Sequence, residues 1–176
     1  MRKATKLLVT AGLFVALDII FARFLSFYTP GNIVRVGPQY LAHAMAGWLL
    51  GPLWSMGTAV AADILGMMIN SAGLSFMPGY TLSAAMSGLL YGLILYRRPV
   101  RIWRAGLAMG AVTVVVSLGL GSLWSMLYYQ KAWLGSVALA LPWRAALWPC
   151  YAALLFLLQK ALTRAGLTQE LEKTSR

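Results

Sequence analysis

The sequence predicts an all-α integral membrane protein with six transmembrane helices. Of its 176 residues, 60% are hydrophobic and only 11% are charged, whereas about a quarter of a soluble domain is usually charged. Apolar runs of about 20 residues recur along the chain, which is the length an α-helix needs to cross the hydrocarbon core of a bilayer. Basic residues fall between these runs, where they act as topology signals.

The whole chain, residues 1–176, is predicted to form a single membrane domain. Its first apolar run follows a basic start but is too long for the core of a signal peptide, so we expect it to be retained. The last apolar stretch, 132–162, is too long for one upright span, and Pro142 is expected to divide it into an interfacial or re-entrant piece and a final helix. The predicted helices cover residues 7–27, 36–53, 54–71, 80–96, 105–128 and 143–162.

The orientation follows from the distribution of basic residues. With the N-terminus inside, eleven of the 15 lysines and arginines fall on the cytoplasmic side. The other four are Arg23, Arg35, Lys131 and Arg144. This asymmetry matches the positive-inside rule and requires an even number of spans. Both termini are therefore predicted to be cytoplasmic, in a multi-pass protein of the plasma membrane.

Several classes of function are excluded by composition. A single cysteine, Cys150, and a single histidine, His43, leave no basis for a disulfide framework, a metal cluster or an intramembrane catalytic set. The net charge of +11 is spread between apolar runs, which does not fit the basic face of a nucleic-acid-binding domain. There is no glycine-rich phosphate loop. We therefore expect no cofactor, no metal and no ATPase activity in this chain.

Three arginines on the predicted outer side are candidates for ligand binding. Arg23 lies near the end of the first helix, Arg35 precedes the second, and Arg144 is predicted at the start of the sixth. A lone arginine can extend to lipid phosphate at the interface. Three at one end of a small bundle favour an anion site instead, because the planar guanidinium binds a carboxylate through two hydrogen bonds.

Asp63 is predicted in the middle of the third helix. A charge at the bilayer centre costs roughly 2.5–3.5 kcal/mol on insertion scales, so such a residue faces the bundle interior. It either contacts a ligand or pairs with an arginine or with helix-end amides. Asp18 in the first helix is a second, weaker candidate for a ligand contact or an internal pair.

Small residues at a spacing of four predict two kinds of helix contact. In the fourth helix, Ala84, Gly88 and Gly92 predict close packing within the chain. In the first helix, Gly12 and Ala16 form a similar face, which we interpret as a docking surface for a partner.

The segment 72–79 joins the third and fourth helices on the predicted outer side. Gly79 gives backbone freedom, Pro78 fixes the approach to the fourth helix, and Phe76 supplies an apolar underside. These features are typical of a lid over an external pocket, although a plain connector would also need turn residues. Aromatic residues available to stack on a planar ligand in this outer half are Tyr80, Tyr128, Tyr129 and Trp148.

Five short stretches carry a family resemblance: GP at 37–38, AGWLLGP at 46–52, ADILG at 62–66, FMPGYTLSA at 76–84 and GLLYG at 88–92. Over roughly residues 10–160 the chain resembles the substrate-binding S-component of energy-coupling factor (ECF) vitamin transporters. The last two stretches, with RFLS at 23–26 and PWR at 142–144, are most similar to the folate-specific branch. Where the family has an Ala-x-x-x-Ala contact motif, this chain has Gly12 and Ala16.

The resemblance implies a protein that captures folate outside the cell and delivers it through a coupling transmembrane subunit and two ATPase subunits. Gly12 and Ala16 would contact the coupling subunit. Folate requires aromatic stacking, an acid or amide for its pterin, and arginines for its glutamate carboxylates. Asp63, Asp18 and Asn70 remain alternatives for the pterin. The residues that we expect to bind the ligand are Arg23, Arg35, Asp63, Phe76, Pro78, Gly79, Tyr80 and Arg144.

Two alternatives compete with this interpretation. One is an S-component for another vitamin or a nucleobase-like substrate, but a neutral substrate would leave the three outer arginines unexplained. The other is a membrane scaffold protein without a ligand. A scaffold predicts arginines that extend to lipid and an internal salt bridge for Asp63.

Overall fold

A computed structural model describes residues 3–29, 34–70, 76–130 and 132–164 of the chain, which form six helices and one short hairpin. Four of the helices, α1, α3, α5 and α6, are long and apolar enough to cross a membrane by length and composition. The helices are α1 (Lys3–Arg23), α2 (Gln39–Leu50), α3 (Pro52–Ile69), α4 (Pro78–Leu95), α5 (Ile102–Tyr129) and α6 (Trp133–Arg164).

A two-stranded antiparallel hairpin follows α1, where the sequence predicted only helix and linker. Its strands are β1 (Phe27–Tyr28) and β2 (Arg35–Val36), and Tyr28 is paired with Arg35. The first helix therefore ends at Arg23, four residues before the predicted boundary at 27. The hairpin turns the chain back, so that Arg35 lies beside the end of α1.

The short helix α2 forms the centre of the bundle. It has 12 residues, nearly all of them buried, and it contacts α1, α3, α4 and α6. Gly51 ends it with a φ of +92°, a conformation that glycine adopts without strain, and Pro52 begins α3 directly afterwards. The chain thus passes from α2 to α3 in a tight turn, close to the predicted boundary between residues 53 and 54.

The predicted small-residue face of α4 is also confirmed as an internal contact. A Cβ added at Gly92 would lie 2.3 Å from the Cα of Pro52, and one added at Gly88 would lie 2.5 Å from the carbonyl oxygen of Ser55. On the other side of α4, a Cβ at Gly47 of α2 would lie 2.7 Å from the Gly92 nitrogen. Glycine at these positions lets α4 contact α2 and α3 backbone to backbone.

Helix α5 changes its winding in the middle. The segment Val112–Leu120 has π-helical hydrogen bonding, with α-helical turns before and after it. Wider turns of this kind locally rotate the side chains that follow and are frequent at functional sites. In α5 they separate Met109, which faces the core, from Trp124, which lies against α4.

The expected break at Pro142 is not observed. One helix, α6, runs from Trp133 to Arg164 with both Pro142 and Pro149 inside it. Proline removes a backbone N–H, but transmembrane helices tolerate it because neighbouring helices, side chains and local adjustments satisfy the freed groups. Arg144 accordingly lies well inside α6 and not at the start of a helix.

Candidate ligand-binding site

An ion pair between Arg23 and Asp63 joins the C-terminal halves of α1 and α3. Nη2 of Arg23 lies 3.4 Å from Oδ1 of Asp63 and 3.3 Å from its carbonyl oxygen. The Arg23 side chain is only 4% exposed, against 24% for Asp63. The second carboxylate oxygen, Oδ2, accepts a hydrogen bond of 2.7 Å from the Thr81 hydroxyl of α4. Asp63 thus holds three helices together and keeps part of its carboxylate accessible.

Gly66 makes room for the Arg23 side chain to cross α3. A Cβ at this position would lie 2.9 Å from Nε of Arg23. That Nε is buried and has no hydrogen-bond partner within the part of the chain that the structure describes. Leaving a buried donor unpaired costs about 1–3 kcal/mol, and more for a charged group. The guanidinium therefore retains one donor that no described residue satisfies.

The hairpin brings a second guanidinium to the same end of the bundle. Nε of Arg35 donates to Oγ of Ser26 at 2.8 Å, and its guanidinium lies 5.9 Å from the centre of the Tyr28 ring. The charges of Arg23 and Arg35 are close enough to repel each other. Arg23 is paired with Asp63, whereas Arg35 contacts Ser26 and Tyr28, so the two cations leave a net positive charge suited to an anion.

Arg144 of α6 belongs to a cluster around Tyr40 of α2. Its Nη1 donates to the Tyr40 hydroxyl at 2.9 Å, and Tyr40 packs edge-on against Tyr151 at a centroid distance of 5.8 Å. The Tyr151 hydroxyl accepts from the Gly37 amide and donates to the Gly37 carbonyl, both at 3.1 Å. Through these contacts the position of Arg144 is tied to the end of the hairpin.

A small cavity adjoins this cluster between α2, α4, α5 and α6. Nε of Arg144 is buried and lacks a hydrogen-bond partner among the described residues, as Nε of Arg23 does. The cavity has room for little more than one water molecule, so the unpaired guanidinium donor can meet a water or a single acceptor atom there. The cavity is lined by Tyr40, Tyr91, Met109, Thr113, Arg144, Leu147, Trp148 and Tyr151.

An aromatic cluster flanks the N-terminus of α4. Trp124 and Tyr128 of α5 stack at a centroid distance of 6.0 Å, and Tyr80 lies 6.3 Å from Tyr128. Nε1 of Trp124 donates to Oγ of Ser83 at 2.8 Å. A Cβ at Gly79 would lie 2.5 Å from the Trp124 ring, so only glycine allows the indole to lie against this turn. The residues of α4 in this aromatic cluster therefore lie within one helical turn of Thr81, whose hydroxyl donates to Asp63.

The remaining predicted ligand residues lie beside this aromatic cluster. Phe76 is 54% exposed, and Pro78 is the first residue of α4. Residues 71–75, which make up much of the predicted lid, lie outside the described residues. The role of this segment as a lid stays a prediction.

Asp18 is engaged elsewhere. It is buried, and its Oδ2 lies 2.6 Å from Nε2 of His43 of α2. Sequence reasoning offered it as an alternative for reading a pterin, and this contact makes Asp63 the better placed acid. Thr81, Trp124, Tyr40 and Tyr151 were not singled out as a set, because nothing in their spacing links residues so far apart in the chain.

The predicted docking residues face outward from the bundle. A Cβ built on Gly12 meets no described atom within 4 Å, and Ala16 is exposed on the same helix. Leu8 and Leu13 beside them are 59% and 67% exposed. This face of α1 therefore does not pack against the rest of the described chain.

Comparison with known proteins identifies the class. Residues 6–162 match the family model described as the ECF transporter, substrate-specific component. The chain belongs to this family and is a multi-pass membrane protein. As a substrate-binding component of a transporter, it is not an enzyme.

The individual proteins that the chain resembles include folate transporters. The folate transporter FolT of Clostridium novyi is 32% identical over 171 residues, covering 97% of this chain and 98% of the relative. FolT of Leuconostoc mesenteroides is 30% identical over 130 residues, covering 73% and 68% of the two chains. Among solved structures, the crystal structure of FolT bound with folic acid superposes with a TM-score of 0.77 at 26% identity, covering 88% of this chain and 92% of that one.

Proposed function

We propose that this protein binds folate at the external side of the plasma membrane, as the S-component of an ECF transporter. The observation that carries the proposal is the similarity to a folate transporter along almost the whole of both chains. The superposition on a folate-bound FolT structure supports it independently. The composition of the candidate site fits as well, because folate combines a flat pterin with two carboxylates.

The two halves of the site match the two ends of folate. Asp63 keeps part of its carboxylate exposed next to the aromatic cluster of Tyr80, Trp124 and Tyr128. In this proposal it accepts the pterin's N–H and amino donors while the rings stack on the pterin. Phe76, Pro78 and Gly79 close this side of the site.

The tail carboxylates of folate are assigned to the arginines. Arg35 lies on the hairpin, and Arg144 carries an unpaired buried Nε. Arg23 balances the charge of Asp63, and its own Nε is unpaired among the described residues. Hydrogen bonds between charged partners are worth about 1.5–3 kcal/mol each, enough to select an anionic ligand over a neutral one.

The proposed topology has six spanning helices and two cytoplasmic termini. The basic residues favour it, with eleven on the inner side and four on the outer. In this arrangement the short α2 crosses part of the membrane, and the hairpin before it completes the path within the protein. Backbone that is not helical is tolerated at membrane depth where protein surrounds it.

Delivery of folate requires partners in this proposal. A coupling transmembrane subunit and two ATPase subunits supply the energy, since the chain has no phosphate-binding loop of its own. The exposed face of α1 at Gly12 and Ala16 is the proposed contact with the coupling subunit. Small residues there allow a partner helix to approach closely.

Ligand retention and titration test the binding function. Mass spectrometry of the purified, denatured protein is expected to release folate. Titration in detergent should give tight binding of folate, weaker binding of pteroate, which lacks the glutamate, and no binding of riboflavin. Retention of another vitamin, or equal affinity for folate and riboflavin, would contradict the proposal.

A further inference from the structure

Four arginines crowd the connector between α4 and α5. Arg97, Arg98, Arg101 and Arg104 lie within eight residues, and the backbone from Arg98 to Arg101 spans at most about 11 Å. Arg97 has a φ of +53°, in the left-handed region that favours glycine. We call this set the basic connector; it lies at the opposite end of α4 from the candidate ligand site.

The two carboxylates in the described part of the chain are paired elsewhere. Asp18 and Asp63 pair with His43 and Arg23, and the structure as described gives Arg98, Arg101 and Arg104 no ion-pair partner. The basic connector is therefore a concentrated positive charge at one end of the bundle.

Arg104 adds an independent indication of a missing partner. Its Nη1 is buried, and none of the described residues accepts a hydrogen bond from it. Its guanidinium lies over the neighbouring Trp103 ring at 5.0 Å, which fixes its direction. Buried donors are paired in the great majority of native structures, so this nitrogen points to an acceptor supplied by another molecule. The N-terminus of α5, with its partial positive charge, lies at the same place.

The surroundings of the basic connector are apolar. Ile102, Trp103 and Leu107 of α5 are 58%, 52% and 55% exposed. An exposed tryptophan beside arginines at the end of a membrane helix is typical of the level of the lipid headgroups. The basic connector suits the phosphate headgroup of a phospholipid, and the exposed apolar side chains of α5 suit its acyl chains.

We propose that the basic connector and the first turns of α5 form a binding site for an anionic phospholipid of the inner leaflet. The phosphate would accept hydrogen bonds from Arg98, Arg101 and Nη1 of Arg104, and an acyl chain would lie along Ile102 and Leu107. The assignment to the inner leaflet rests on the proposed topology. Binding of the lipid does not depend on the assignment of folate as the transported ligand.

Lipid titration of the whole protein tests the site. The purified chain in neutral detergent is titrated with phosphatidylglycerol or phosphatidylcholine, and the bound lipid is counted by native mass spectrometry. We compare Arg98→Gln/Arg101→Gln/Arg104→Gln with a control triple variant, Lys6→Gln/Lys160→Gln/Arg164→Gln, which loses the same charge elsewhere on the cytoplasmic side. Folate affinity is measured in parallel to show that both variants are folded.

We expect the wild type to prefer phosphatidylglycerol over phosphatidylcholine at least roughly tenfold. The connector variant should bind phosphatidylglycerol roughly a hundredfold more weakly, because each basic residue near an anionic surface contributes about a fivefold factor. The control should change little, and folate affinity should be retained in both variants.

Three results would overturn the proposal. An equal loss in the two triple variants would show a general charge effect. Displacement of phosphatidylglycerol by millimolar inorganic phosphate would indicate a soluble-anion site. Unchanged lipid binding together with lost co-purification of the coupling subunit would identify the connector as a protein contact.

Discussion

Nε2 of His43 lies 2.6 Å from Oδ2 of Asp18 in the interior of the bundle, and Nδ1 of the same ring lies 2.9 Å from Oγ of Ser87. The Ser87 hydroxyl also donates to the Ala84 carbonyl, at 2.8 Å. This chain of contacts joins α1 to α2 and α4.

We predict that replacing one member of the His43–Asp18 pair destabilises the protein more than replacing both. His43→Leu should lower the free energy of unfolding by about 3–5 kcal/mol, because Asp18 would remain buried without its partner. Asp18→Leu/His43→Leu should recover most of that loss, since an apolar pair of similar volume suits the site. Unfolding in detergent measures both. Additive losses in the double variant would show that the two residues act independently.

The second prediction concerns Arg144. Arg144→Gln should weaken folate binding roughly tenfold to a hundredfold, because it removes a charge-assisted contact worth about 1.5–3 kcal/mol. Tyr40→Phe removes only the hydroxyl that orients this arginine, so its effect should be smaller. Isothermal titration in detergent compares them with Arg98→Gln as the control. If Arg144→Gln and Arg98→Gln bind folate equally well, Arg144 is outside the site.

A third prediction tests the helix contacts with two glycines. Gly92→Ala should destabilise the protein by about 1–3 kcal/mol, because the new methyl would lie 2.3 Å from the Pro52 Cα and force α3 and α4 apart. Gly57→Ala is the matched control within a helix. Its Cβ meets no described atom within 4 Å, so the change should be neutral or stabilise the helix slightly. Thermal unfolding distinguishes the two, and equal midpoints would contradict the observed packing.

The fourth prediction separates docking from ligand binding. Gly12→Trp should leave folate binding intact but abolish uptake, because it blocks the approach of a partner helix to α1. Gly57→Trp places the same side chain on another open face and should leave both intact. Folate titration in detergent and uptake of labelled folate by cells that produce the coupling module are measured together. Loss of binding in Gly12→Trp would mean that this face supports the ligand site itself.

A fifth prediction concerns the segment before α4. Phe76→Ala should raise the folate dissociation rate several-fold with little change in association, since closure over a bound ligand mainly slows its escape. The control is Leu82→Ala, because Leu82 lies in the first turns of α4 and is similarly exposed, at 51%. Stopped-flow quenching of tryptophan fluorescence gives both rates. An unchanged dissociation rate would make the segment a connector.

Hydropathy predicted a helical membrane protein, and glycine spacing predicted the close packing of α4, because apolar length and close packing depend on local sequence. The contacts of Gly88 and Gly92 with α3 are an example. The hairpin after α1 escaped prediction because each of its strands has only two residues. Pro142 was expected to break a helix, but α6 continues through it. Whether the carbonyl freed by a proline finds another partner depends on surroundings that the sequence does not reveal.

The candidate site was predictable in residue type but not in arrangement. Arg23 and Asp63 stood out because charges within apolar helices are expensive, and the structure pairs them directly. Their third partner, Thr81, is uncharged, and a threonine in a membrane helix gives no such indication. The contact of Arg144 with Tyr40 is likewise a property of the packed bundle, since it depends on which helices are neighbours.

The uninterrupted length of α6 has a consequence for the membrane itself. Its 32 residues rise about 48 Å, well beyond the roughly 30 Å of a hydrocarbon core. This positive hydrophobic mismatch is relieved by leaning the helix, by carrying its ends into the headgroups, or by local thickening of the bilayer. Bilayer thickness therefore helps to set the inclination of α6. Because Arg144 is fixed to that helix, lipids with longer or shorter acyl chains would change the depth at which its guanidinium lies.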